Sequence, residues 1–300
     1  MKGLINITFK GWIAVLVSAM LYSCSLFVGV ETPTSDQTIK FTVSEWQEVK
    51  GSILSKSTIE SFGIFGYLFE LPWETSYRPD FIFNDEVTKK ASGWATKYYY
   101  PNDGRYLRFY AYAPYNCEGV TPSSKDVPGA IKLGYTVPSD VAAQKDLVVA
   151  MSGDILGKDA SGDIELKFYH TLTGIRFETG SEIKEGIIKS ISIKGVYTSA
   201  TLVYGETPSE RPHWDETSYS SKGDFTLTLN KPVSAGIEGV NITGDDQIFM
   251  MLPHKVLPTG AALEIVFNDG SMDRTLTKKI DGLVWPQGEI ITYKISTTSF

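Results

Sequence analysis

The residues able to do chemistry are few and scattered. The three histidines, His170, His213 and His254, lie far apart, and none forms an HxH or HxxH spacing that would set two imidazoles on one metal. His170 falls on the apolar side of an alternating run, where a hydrogen-bonded core histidine is expected. His213 and His254 stand in Pro-flanked stretches and are expected to be solvated. Cys117 is the only cysteine besides Cys24. A catalytic thiol needs a base beside it and a lowered pKa. A lone cysteine just after a strand reads instead as a small structural residue. Acids are plentiful, but nothing in the sequence aims two of them at one cleft. Asp154, Asp159 and Asp163 have the spacing of a calcium loop without the rest of an EF-hand. There is no GxSxG and no phosphate-binding loop. The expectation is a non-enzymatic protein with no cofactor and no metal.

One cysteine has a clearer chemistry. Lys2 and Lys10 flank the start of an apolar run over residues 11–22, too short to span a bilayer comfortably. It ends in Leu21, Tyr22, Ser23 and Cys24, the apolar-x-small-Cys order of a bacterial lipobox. Cleavage between Ser23 and Cys24, then acylation of the Cys24 sulfur, would leave a lipid-anchored chain, with residues 24–37 as a polar tether. Several acyl chains hold a protein on a membrane where one does so marginally. No disulfide is then available, because Cys117 has no partner left. Stacking on glycans is the remaining chemistry. Trp73 and Trp214 lie in loops and are the candidate ligand aromatics, whereas Trp94 and Trp285 lie beside strands and read as core.

The elements that would position these residues are strands. The chain has 300 residues, 42% of them hydrophobic and 12% aromatic, which suits β-structure with real cores. Its net charge of −7 becomes about −9 once Lys2 and Lys10 are removed, so a nucleic-acid partner is not expected. Residues 94–115 read as a β-hairpin turning at Pro101, Asn102, Asp103 and Gly104. Its return arm alternates: Leu107, Phe109, Ala111 and Ala113 face one way, Tyr106, Arg108, Tyr110 and Tyr112 the other. Residues 39–43 are the expected first strand, and residues 62–69 a buried strand with glycines at a bulge or a close approach. Around residues 164–177 the apolar phase flips at Thr173 and Gly174, as a bulge would cause. No amphipathic helix is evident. Many short strands with turn signals indicate β-sandwiches. The expected division is a signal peptide over residues 1–23, the tether, one sandwich over 38–160 and a second over 161–300.

Several segments in order resemble the Bacteroidetes fimbrillin superfamily, its Mfa-like, FimA-type branch. They are FGIFGY at 62–67, Trp94 with YYP at 99–101, LRFYAYAP at 107–114, KDLVVA at 145–150, FYHTLTGIRF at 168–177, MMLP at 250–253 and WPQGEIITY at 285–293. The resemblance implies two tandem transthyretin-like β-sandwich domains on a lipoprotein carried to the outer membrane. It also implies a stalk, tip or anchor role in fimbriae and cell adhesion, with a host or bacterial surface glycan or protein as target. Subunits of the family join by donor-strand exchange, after a trypsin-like cut following the first strand. The equivalent place here is Lys50–Gly51, since the first arginine is Arg78. Ile291, Tyr293 and Ile295 alternate near the C-terminus and are the donor-strand candidates, besides serving as the last strand of their own domain. The alternative function is a glycan-binding surface lipoprotein of a polysaccharide-uptake system.

Overall fold

The computed structural model describes residues 37–45, 54, 55, 57–244 and 247–297. Ser23, Cys24, Lys50 and Gly51 lie outside them. In chain order the first strands are β1 Thr38–Glu45, β2 Ser61–Phe69, β3 Ile82–Lys90, β4 Gly93–Tyr99 and β5 Tyr106–Ala113. Next come β6 Val120–Pro122, β7 Lys132–Thr136, β8 Val148–Met151, β9 Ile155–Leu156 and β10 Ile164–His170. The remainder are β11 Thr173–Thr179, β12 Gly186–Val203, β13 His213–Trp214, β14 Ser220–Val233, β15 Phe249–Met251, β16 Ala262–Asn268, β17 Asp273–Lys279 and β18 Ile290–Ile295. The fold is all-β, as expected.

Seven strands close on themselves in the order β2-β3-β4-β1-β10-β8-β5, with β5 returning to β2. The interior is apolar because the inward set of each strand is apolar. Ile39, Phe41 and Val43 of β1 meet Phe62 and Ile64 of β2, Leu107, Phe109 and Ala111 of β5, and Leu166 and Phe168 of β10. The rings interlock edge-to-face, with Phe41 5.9 Å from Phe62 and 5.3 Å from Phe109.

A second core lies outside the ring, against the other face of β2, β5 and β8. Tyr67, Tyr110 and Tyr112 join Leu133, Ile191, Leu202, Phe177 and Trp285 there. It is held between a small sheet, β15-β11-β18, and a larger one built on β12, whose path runs β17-β16-β12-β7-β6. β5 therefore serves both cores with alternate residues, as its alternation foretells: Leu107 and Phe109 inward, Tyr110 and Tyr112 outward. Polar stitches cross between the layers. The Tyr204 hydroxyl donates to the Ala111 carbonyl at 2.9 Å, and Gln144 accepts from the Met250 amide at 2.8 Å. At Gly63 a Cβ would overlap the Tyr112 ring, and the β2–β3 register shifts between Ile64 and Phe65. The glycine permits the close approach and the bulge adjusts the strand beside it.

Three expectations change. Residues 94–115 do not form a hairpin: β4 pairs with β3 and β1, β5 with β2, β8 and β9. Gly104 has the expected positive φ, 83°, but the turn carries the chain across the ring. Alternation reports which face a residue takes and is silent on which strand lies beside it. Second, the phase flip near Thr173 is a change of sheet, not a bulge. β10 ends in the ring, and β11 begins in the small sheet. Third, pairing crosses the expected boundary at residue 160 in both directions. β10 completes the ring, while β6 and β7 join β12.

Phe109→Ala should lower the stability read from urea unfolding by about 3–5 kcal/mol, the usual cost of emptying a core phenylalanine site. Thr42→Ala, at an exposed position on β1, should change it by no more than about 0.5 kcal/mol.

Candidate functional site

The seat of β1 is the first site of interest. β1 runs parallel to β10, with Phe41 opposite Ile164 and Val43 opposite Leu166. It runs antiparallel to β4, with Phe41 opposite Trp94. Both of its edges are thus occupied. Ile39, Phe41 and Val43 are buried, while Thr42 faces out. Side chains lock the register: Thr96 donates to the Ile39 carbonyl at 3.0 Å, and Ser44 to Glu165 at 2.8 Å. The sequence reading found this strand, and the structure extends it at both ends. At the other terminus, Ile291, Tyr293 and Ile295 lie in β18, parallel to β11 over six register pairs. The Tyr293 ring stacks on Phe177 at 5.8 Å, and its hydroxyl accepts from Trp285 Nε1 at 3.0 Å.

The histidines separate as follows. His170 Nδ1 lies 2.8 Å from Asp146 Oδ2 with both side chains nearly buried, which makes it the hydrogen-bonded core histidine expected. Cys117 is buried nearby, and burial, then the charge of Asp146, pushes its thiol up to about 12. A thiol held in that form is a poor nucleophile. His213 is exposed. His254 departs from expectation: it is only 6% exposed. Its backbone exchanges two hydrogen bonds with Trp285, each at 2.8 Å, which draws the Pro-flanked segment onto the core. Among the described residues, no three His, Cys, Asp or Glu side chains are grouped to hold a metal.

Neither ligand tryptophan stands free. Trp73 packs edge-on to Tyr67 and Phe69, and the Arg108 guanidinium lies 4.2 Å over its ring. Asp154 holds that guanidinium through two bonds of 2.7 and 3.0 Å. Trp214 is buried, and its Nε1 donates to the Thr171 carbonyl at 2.7 Å. It nevertheless backs a cleft of about 780 Å³ that the sequence reading missed. Tyr197 from β12, Tyr219, His254 and Trp285 form its aromatic part; Val256 and Val284 flank it, and Glu216, Lys255 and Gln287 supply polar groups. The Tyr197 and His254 planes lie within 9° of parallel, with centroids 5.8 Å apart, and Tyr219 meets the His254 ring edge-on at 5.3 Å. Four segments distant in sequence converge there, so no local pattern announced it. Two exposed valines, Val256 and Val284, beside a tryptophan and a histidine were the only trace.

His254 Nδ1 lies 2.8 Å from the Leu252 carbonyl, a contact that assigns the proton to Nδ1 and leaves Nε2 bare; Nε2 has no partner. Burial lowers the pKa of this ring below its ordinary 6.5. The unfolded chain therefore takes the proton first as pH falls, and stability drops below about pH 6.5. Urea midpoints should fall from pH 7 to pH 5, with a shallower fall in His254→Phe. An unchanged slope in the variant would assign the pH dependence to other groups.

Comparison with known proteins agrees with this architecture. The sequence model of the fimbrillin-like family matches residues 60–299. The fimbrium subunit Fim1C of Phocaeicola vulgatus is 23% identical over 255 residues, covering 74% of this chain and 67% of that protein. A crystal structure of a fimbrial protein from Bacteroides vulgatus superposes with a TM-score of 0.62 at 18% identity, covering 87% of this chain and 96% of the other. The chain belongs to the fimbrillin-like family, whose members are fimbrial subunits of a cell-surface appendage and not a family of enzymes.

Proposed function

We propose that this chain is a surface-anchored fimbrial subunit supporting adhesion, and that it joins its neighbours through the seat of β1. The position of β1 carries this reading. The strand closes the ring between β4 and β10, and its connection to β2 passes through residues 46–60. Removing it would bare two strand edges and uncover the partners of Ile39, Phe41 and Val43. Burying one such side chain fully is worth about 1.5–3 kcal/mol. Three of them approach the net stability of an ordinary domain. An opened ring must therefore be refilled, and a neighbour's strand with three apolar residues at alternate positions would do so by β-augmentation. Lys50 and Gly51 stand just beyond β1, where a trypsin-like cut would release it.

Ile291, Tyr293 and Ile295 have the alternate spacing a donor needs. Donation from that end would exchange their six pairs with β11 for a two-sided seat in the next subunit. Cys24, once residues 1–23 are removed, would carry the lipid that holds the uncut subunit to the outer membrane, and a cut after Lys50 would free the rest of the chain from it together with β1. The partners are then other fimbrial subunits and the membrane.

Protein cut after Lys50 should form ladders that survive mild denaturant, with β1 lost from the assembled subunits, as a stalk subunit would. Nicked protein that stays monomeric makes the chain a tip or an anchor instead. Separately, Cys24→Ser should abolish labelling by radioactive palmitate and move the protein to the aqueous phase on detergent partitioning; unchanged labelling would remove the lipid anchor from the reading.

A further inference from the structure

Residues 291–296 repeat the pattern of residues 39–44. β1 carries Ile39, Phe41 and Val43 on its buried face, and Ser44 follows them. β18 turns Ile291, Tyr293 and Ile295 to its own core, and Ser296 follows them. Thr42 and Lys294, between the second and third apolar residues, are both exposed. The two strands belong to different sheets and different cores. Each runs parallel to one neighbour, β1 to β10 and β18 to β11. The departures are the Tyr293 hydroxyl, which Phe41 lacks, and the cation, which stands at Lys40 in β1 and one alternate position later in β18.

With Tyr293 in the place of Phe41, β18 of a second copy would set a ring beside Phe62 and Phe109 and an isoleucine on each side of it. That apolar triplet specifies the register. The outward residues then weigh the direction. In the direction of β1, Lys294 takes the place of Thr42, whose partner across the sheet is Glu165. Ser296 takes the place of Ser44, whose hydroxyl donates to Glu165 at 2.8 Å. The carboxylate would receive an ammonium and a hydroxyl together. Lys294 would exchange Glu238, its partner at 2.7 Å in its present position, for Glu165. Lys167, the other charge on this part of β10, would stand opposite the neutral Ser296. Reversed, the strand puts Lys294 in the place of Lys40, opposite Ala95, and Thr292 in the place of Thr42. Those types match β1 equally well, but Glu165 gains no cation, and the apolar Ile290 takes the outward place of Ser44.

We propose that Glu165 sets the direction of strand exchange: residues 291–296 of a second copy enter the seat in the direction of β1, with Lys294 and Ser296 on its carboxylate. This rests on the strand-exchange reading above and adds to it the register, the direction and the residue that chooses them.

The test uses full-length chains with Cys24→Ser, which leaves the buried Cys117 as the one native thiol. Donor chains carry Ser296→Cys or Ile290→Cys, and acceptor chains carry Lys167→Cys, at the residue opposite position 44. Directly opposed residues on neighbouring strands are close enough for a disulfide. Donors and acceptors are mixed, cut after Lys50 and oxidised. Chains joined through 296 and 167 should be several times as abundant as chains joined through 290 and 167. Glu165→Lys in the acceptor should lower their yield about fivefold, and Lys294→Glu in the donor should restore it. A residue that only supported the fold would show no such rescue, so its absence overturns the role of Glu165. Joining through 290 and 167 means a reversed donor, and ladders joined at neither pair mean a different occupant. Either result overturns the proposal and leaves strand exchange standing. A labelled peptide of residues 37–45 divides the remaining case. Ladders absent while the cut chain takes up the peptide mean that the seat opens and β18 does not fill it. Refusal of the peptide as well brings down the strand-exchange reading together with this one.

Discussion

The structure depends on β2 and β5 being buried on both faces. A strand with one covered face needs a single apolar set. These two need a second, and the tyrosines supply it. Tyr67, Tyr110 and Tyr112 are as buried as the phenylalanines on the other side. Two of their hydroxyls are tied down, Tyr67 by the Gly129 carbonyl at 2.9 Å and Tyr112 by Asn84 of β3 in the same ring at 2.9 Å. A tyrosine can therefore fill a core and still tie its polar end to a neighbouring loop. The ring inside and the sheets outside share this wall, so neither is complete without it.

How far the sequence could be read follows from what each signal encodes. The alternation over residues 107–113 specified two faces and named the residues on each. The same signal could not say that β5 lies beside β2 and β8, because pairing is settled by distant strands. The apolar run from Ile164 to Phe177 was visible, yet its phase change was ambiguous between an extra residue and a new sheet. His170 was legible as a core residue from its place on an apolar face. His254 was not, because its burial comes from backbone bonds to Trp285, 31 positions away. Trp214 looked like a loop residue for the same reason. A two-residue strand pairs it with Leu202, which closes the loop onto β12.

The buried titratable groups among the described residues follow a physical pattern of their own. Titratable groups that reach the interior are neutralised by their surroundings. Cys117 is kept protonated, and Tyr204, wholly buried, is pushed well above the ordinary phenol range while its hydroxyl donates to a carbonyl. Asp146 is buried against His170, its Oδ2 bonded to Nδ1 at the junction where β8 and β10 pair while its Oδ1 has no partner. Such groups fix the relative placement of layers. The cleft at Tyr197 is different, since its polar edge, Glu216 and Lys255, is open to solvent, although the unpartnered Nε2 of His254 is itself buried.

The ring contains an odd number of strands, and parity forces a consequence. Strands that alternate in direction cannot close a ring of seven; one adjacent pair must run the same way. Here that pair is β1 with β10, while every other neighbouring pair in the ring is antiparallel. β4 and β10, the two sides of the seat, therefore oppose each other. Any strand lying between them is parallel to one and antiparallel to the other, whichever way it enters. Backbone pairing alone leaves the polarity of an occupant undecided. The direction is chosen by side chains: by which residue falls opposite Trp94 and Ile164, and which ring slots between Phe62 and Phe109.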